Sequence, residues 1–134
     1  MRQLIAQILT VIAALAATPL AASEEVTLDQ YLWQARPLVI FAPSQDDPRL
    51  VQQLKWLEER KDEIEERDVV VVVDIEAATT STLRKEFRPR DFQIVLVGKD
   101  GEVKLRKPFP WDVRELSRQI DKMPMRMQEM RAGR

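Results

Sequence analysis

Four groups of side chains in this sequence are of types, and at spacings, that could do chemistry. The first is acidic: Ser44, Gln45, Asp46 and Asp47 follow one apolar run, and Asp74 with Glu76 follows another. If both runs are strands of one parallel sheet, these residues share the carboxyl edge where open α/β sheets bind ligands. Their carboxylates could then hold a hard cation such as Ca²⁺, or a polar ligand. The same residues also suit structural work, with Asp47 as a helix N-cap, Asp46 complementing the helix dipole and Asp74 pairing with an arginine. The second group is basic. Arg84, Lys85, Arg88 and Arg90 lie within seven positions, able to clamp a phosphate or carboxylate with guanidinium forks, or to neutralise the acidic group at the same edge.

The third group is the methionine tail, with Met123, Met125, Met127 and Met130. Thioether sulfur suits Cu(I), but methionine also fills irregular apolar gaps and builds adaptable docking surfaces. The fourth is aromatic: Trp33, Trp56, Phe109 and Trp111. The proline-braced stretch from Lys107 to Trp111 could display its rings to a partner at little entropic cost. Core or edge packing is the alternative, with Trp33 beneath the first strand and Trp111 as a local staple. None of these groups is assigned a catalytic, metal or cofactor role; they stand as candidate binding residues.

What the chain lacks narrows the chemistry further. It has no cysteine and no histidine, which removes the thiol nucleophile, the redox dithiol, the thiolate zinc site, the Ser-His-Asp triad and the imidazole ligand. The net charge of −1, with both signs interspersed, argues against a nucleic-acid binder, which needs a basic excess on one face.

The first residues read as an address. Met1-Arg2-Gln3 is a weakly positive start, Leu4 to Ala17 is apolar except for Gln7 and Thr10, and Thr18 to Ser23 is a region of small residues. This pattern predicts a secretory signal peptide at 1–22, cut after Ala22 or Ser23, and an exported, periplasmic or secreted domain at 23–134. The apolar run is shorter than the roughly 20 residues a spanning helix needs, and no later run is long enough. An exported domain of this size without disulfides must rely on its core alone.

The elements that would position these groups alternate. Glu24 to Gln34 is a lead-in with a possible short helix carrying Leu28, Tyr31 and Leu32, capped by Thr27 or Asp29. Pro37 to Ala42 is apolar throughout, as a strand covered on both faces should be. Asp47 and Pro48 open a helix expected to reach about Glu66, with Leu50, Leu54, Leu57 and Ile64 on its buried face. The five valines Val69 to Val73 give the strongest buried-strand signal. The intervening helix makes the two strands parallel. A shorter helix follows over Thr79 to Phe87, then a strand over Phe92 to Val97. The Gly98 to Gly101 turn leads to an antiparallel strand over Glu102 to Lys107. A last helix starts at Asp112, with a reciprocal cap to Glu115, a Trp111–Leu116 staple and a stripe of Val113, Leu116, Ile120 and Met123; Pro124 is expected to end it. The class is α/β: a four-stranded mixed sheet flanked by helices.

This order is the plan of the thioredoxin-like fold. The stretch Val39 to Pro48 resembles the active-site strand and helix start of thioredoxin, with Gln45 and Pro48 at the two cysteine positions, so thiol chemistry does not carry over. Where that family places a cis-proline, this chain has Arg90-Asp91-Phe92. The chain is also similar to the domain of unknown function 4174 family, through Trp33 to Pro43, Glu66 to Val70, Leu96 to Gly101 and Ile120 to Arg126. That resemblance implies a thioredoxin-like or peroxiredoxin-like fold and an exported location, and no reaction. Three functions stand: a non-catalytic binding or adaptor module engaging a protein or envelope component; a metal- or small-ligand-binding protein using the acidic edge or the methionines; and an enzyme using carboxylate acid/base chemistry.

Overall fold

The computed structural model describes residues 25–133; the expected signal peptide and its cleavage region lie outside them. A short 3-10 turn, Asp29–Tyr31, precedes strand β1, Arg36–Ala42. There follow helices α1 (Pro48–Glu59) and α2 (Lys61–Glu66), strand β2 (Val69–Ile75), helix α3 (Thr82–Phe87), strands β3 (Gln93–Val97) and β4 (Val103–Lys107), and helices α4 (Val113–Asp121) and α5 (Pro124–Arg131).

The sheet runs β2-β1-β3-β4. β1 pairs parallel with β2 and antiparallel with β3, and β3 pairs antiparallel with β4. Every residue of β1 is buried, as its two-sided apolarity requires. Leu38, Ile40 and Ala42 join Leu50, Leu57, Ile64, Ile94, Leu96, Leu116 and Ile120 in the main core, beneath α1, α2 and α4. On the opposite face Val39 and Phe41 pack with Leu83, Phe87, Val95 and Val97, beneath α3.

Four expectations need correction. The five-valine strand is an outer strand and only Val69 in it is fully buried; a valine run reports β-propensity, not a central place in the sheet. The single long helix is two, because Arg60 leaves helical geometry at φ −124°, ψ 35°, turning α2 so that Ile64 is buried while Leu54 stays partly exposed. Pro124 ends one helix and opens another, where its missing N–H is harmless. At α4, Asp112 caps the Arg114 N–H at 2.6 Å, and Glu115 pairs with Arg118 instead of returning the cap. Among the described residues no helix is long and apolar enough to cross a membrane.

Candidate functional site

The carboxyl ends of β1 and β2 meet the amino end of β3 at one edge of the sheet, and α1 starts there. The structure does not gather the acidic residues into one cage. Asp47 accepts the Arg49 N–H at 2.9 Å, which caps α1, and the same carboxylate takes the Arg49 guanidinium through Nε at 2.9 Å and Nη2 at 2.6 Å. Arg49 continues to Asp91 with bonds of 2.7 and 2.9 Å, and its guanidinium lies 5.3 Å from the centre of the Phe92 ring. Asp91 reaches this position in the left-handed region, at φ 55°.

On the other face of the β1 end, Arg84 Nε donates to Asp74 Oδ1 at 2.7 Å, and its Nη2 donates to the carbonyl oxygens of Ala42 and Asp74. The Ser81 hydroxyl donates to Asp74 Oδ2 at 2.6 Å and accepts the Arg84 N–H that caps α3. Arg84 stacks over Phe41. Each carboxylate thus has its own arginine, on opposite faces of the sheet. Ser44, Gln45 and Asp46 form an exposed turn, and Lys85, Arg88 and Arg90 point to solvent. Arg88 closes α3 in the left-handed conformation. Among the described residues no three acidic side chains converge closely enough to hold a metal ion.

The electrostatics of this edge favour anions. Arg49 holds Asp47 down at about 2, chiefly through the side-chain hydrogen bond, and holds Asp91 below its ordinary value by the same means. A carboxylate lowered in the folded state adds stability that is complete above its unfolded value and disappears as the pH falls through its folded one. The Asp47 contribution is therefore constant from neutral pH to about 5 and declines from about 4 toward 2, which melting curves on an acid series will show as a steepening drop that Asp47→Asn removes. A second expectation follows from the α3 cap: Ser81→Ala lowers stability by about 1 kcal/mol, measurable by urea unfolding.

The opposite end of the sheet holds a second constellation that sequence reasoning missed. Arg36, at the head of β1, is 1% exposed. Its guanidinium makes two bonds of 3.1 and 3.2 Å to the Glu129 carboxylate and a third, at 2.8 Å, to the Arg67 carbonyl. Lys99 Nζ donates to Glu129 at 2.6 Å and to Asp68 at 2.8 Å. Arg126, also buried, reaches Asp121 at 3.1 Å and the Glu66 carbonyl at 3.3 Å, and Asp121 takes Arg67 at 2.9 and 3.0 Å. Local chain geometry sets these positions. The Gly98–Gly101 turn, with Gly101 at φ 81°, carries Lys99 inward, and Arg126 and Glu129 sit three apart on α5. Burial works to raise Glu129 and Asp121, but the bonds from Arg36 and Lys99, and from Arg67 and Arg126, overcome it and hold both below their usual values. No buried side-chain nitrogen or oxygen among the described residues lacks a hydrogen-bond partner.

This cluster shows which side chains hold the tail to the domain. What anchors α5 is Arg126 and Glu129, whereas Met127 and Met130 face outward and Met125 is half-buried; Met123 alone of the four packs against the main core. Trp33 is likewise not beneath β1 but 60% exposed, in the left-handed region. Phe109 is exposed, and Trp111 is clamped at the foot of α4 by buried Gln53, whose amide exchanges two hydrogen bonds with its backbone. Two signals in the sequence mark the cluster: an arginine heading a strand otherwise apolar, and an Arg–Glu pair at helical spacing just after a proline.

A β-α-β unit and hairpin, flanked by helices and carrying no thiol at the β1–α1 junction, define a cysteine-less thioredoxin-like domain. Solved structures agree on the fold. The reduced 2-Cys peroxiredoxin of Plasmodium vivax superposes with a TM-score of 0.62 at 17% identity, over 77% of this chain and 85% of that one. The mitochondrial 2-Cys peroxiredoxin of Plasmodium falciparum gives 0.56 at 14%, over 72% and 79%. The chain belongs to the family described as Domain of unknown function (DUF4174), which matches residues 27–129. The four stretches through which it resembles that family, distant in sequence, meet at the ionic cluster, where they supply Arg36, Arg67 with Asp68, Lys99, and Asp121 with Arg126.

Proposed function

We propose that this chain is an exported, non-catalytic binding module that engages a protein or other envelope component through the carboxyl edge of its sheet. One observation carries the reading: Asp47, Asp74 and Asp91 at that edge are closed onto arginines, and Asp47 and Asp91 are held as anions. General acid catalysis at neutral pH needs a carboxyl raised toward 7. Ser44, Gln45 and Asp46 remain exposed beside this closed edge, as does Arg90 next to Asp91. Polar side chains on loops carried by a packed sheet suit recognition. The leader pattern at residues 1–22 supports export.

The test is photocrosslinking in the native envelope, with a photoreactive residue at Gln45 or at Arg90 and, as control, at Glu102 on the opposite end of the sheet. The expected result is one specific crosslinked species from the first two positions, in constant ratio to the chain and chemically unchanged by mass spectrometry. A crosslinked species that comes equally from Glu102, or a bound molecule recovered in altered form, contradicts the reading.

A further inference from the structure

The two edges of the sheet are built differently. β4 carries Lys104, Arg106 and Lys107, and its pairing with β3 is shifted at Leu96/Val97; charged side chains and irregular pairing are how proteins keep an open edge from joining another strand. β2 has none of these devices. It pairs with β1 over seven successive residues without a shift, and its outer side pairs with no described strand. Its single charge, Asp74, is turned away onto Arg84 and Ser81. What it leaves open is a regular, valine-rich row of backbone donors and acceptors.

Apolar surface continues from that edge onto the helices. Val73 is 41% exposed, with Leu54 at 38% and Val51 at 55% on α1. A groove of about 580 Å³ lies between α1, α2 and β2, floored by Leu57, Ile64, Val69 and Val71. Its rim carries Lys55, Glu58, Lys61 and Glu65, a row of alternating sign. Read against itself in the opposite direction, this row sets Lys55 against Glu65 and Glu58 against Lys61, so every position meets its opposite charge. Self-complementarity of this kind is what a two-fold interface demands.

We propose that the partner of this surface is a second copy of the chain, joined β2 to β2 antiparallel about a two-fold axis near Val72 to make one continuous eight-stranded sheet. Val71 then lies opposite Val73 of the second copy, and the two α1–α2 rims face each other on one side of the sheet. Apart from the backbone of Asp74 and Ile75, this interface uses no residue of the carboxyl edge, and it stands independently of the function proposed above.

Charge-swapped variants test it, read by light scattering and sedimentation of the purified protein. The parent chain is expected to give the mass of two chains at micromolar concentration. Lys55→Glu with Lys61→Glu makes the rim wholly acidic, and Glu58→Lys with Glu65→Lys makes it wholly basic. Each variant alone is expected to weaken association at least about tenfold, and an equimolar mixture of the two to recover it. Val73→Lys, which restores an edge charge, is expected to give the mass of one chain that still unfolds cooperatively, with a melting temperature that no longer depends on protein concentration. A parent chain that stays single at these concentrations overturns the proposal. So does association that both swapped variants retain in full, which would place it on another surface.

Discussion

Glu129→Ala lowers the stability of the domain by about 3–5 kcal/mol, the range found when one member of a buried ionic group is removed and its partners remain. Among the described residues Glu129 is the only carboxylate that Arg36 binds and one of two that Lys99 binds, and it lies 3.7 Å from Arg126. Its loss leaves the buried Arg36 guanidinium without a carboxylate among the described residues and takes one counter-charge each from Lys99, which keeps Asp68, and Arg126, which keeps Asp121. A small domain has about 5–15 kcal/mol in all, so a loss of this size shows in urea unfolding as a large fall in midpoint. Met130→Ala on the same helix is expected to cost about 1 kcal/mol or less, because Met130 is 40% exposed and belongs to neither core cluster. The contrast separates an ionic anchor from a hydrophobic one. The effect also has a pH signature. Glu129 is lowered from 4.5, so its contribution is complete above that value and declines as the pH falls below it.

Arg84→Ala is the second large effect, at about 3 kcal/mol. The side chain closes three acceptors at once: the Asp74 carboxylate and the carbonyl oxygens at the ends of β1 and β2. It also covers the face of Phe41, which the Phe87 ring meets at 6.0 Å. Removing it leaves Asp74, about nine-tenths buried, with Ser81 alone. Arg84→Lys keeps the charge and loses the fork, and is expected to recover less than half of the difference. Urea unfolding of the two variants beside Ser81→Ala gives the order of the effects, with Ser81→Ala the smallest.

The contrast between the two ends of the sheet also explains what the sequence could and could not convey. Strand and helix order is written locally: the apolar run before Pro43, the Asp47-Pro48 helix start and the Asp100-Gly101 turn each specify their element without help from distant residues. The rank of a strand within the sheet is not local. Val69 to Val73 is more uniformly apolar than β3, yet lies outside it, because the place of β2 depends on which side of β1 the hairpin takes. The helix break at Arg60 has no proline or glycine to announce it.

The carboxyl-edge residues were legible as a set because their types cluster in sequence; their division between two arginines was not, since Arg49 and Arg84 lie on opposite faces. The basal cluster was the least legible part. Arg36, Lys99, Arg126 and Glu129 are separated by up to 93 positions, and each taken singly looks like an ordinary solvated charge. The methionines around Arg126 and Glu129 drew attention to side chains that turn outward.

The proposed binding role, in a domain whose carboxylates Asp47, Asp91, Asp121 and Glu129 are paired with cations, has a direct spectroscopic test. Carbon-13 carboxyl resonances of the folded protein, followed from neutral pH into acid, report the protonation of each carboxylate. The account predicts Asp47 titrating at about 2, and Asp91, Asp121 and Glu129 all below their ordinary values. Any of the four titrating between about pH 6 and 8, where a carboxyl can serve as a general acid, would contradict it.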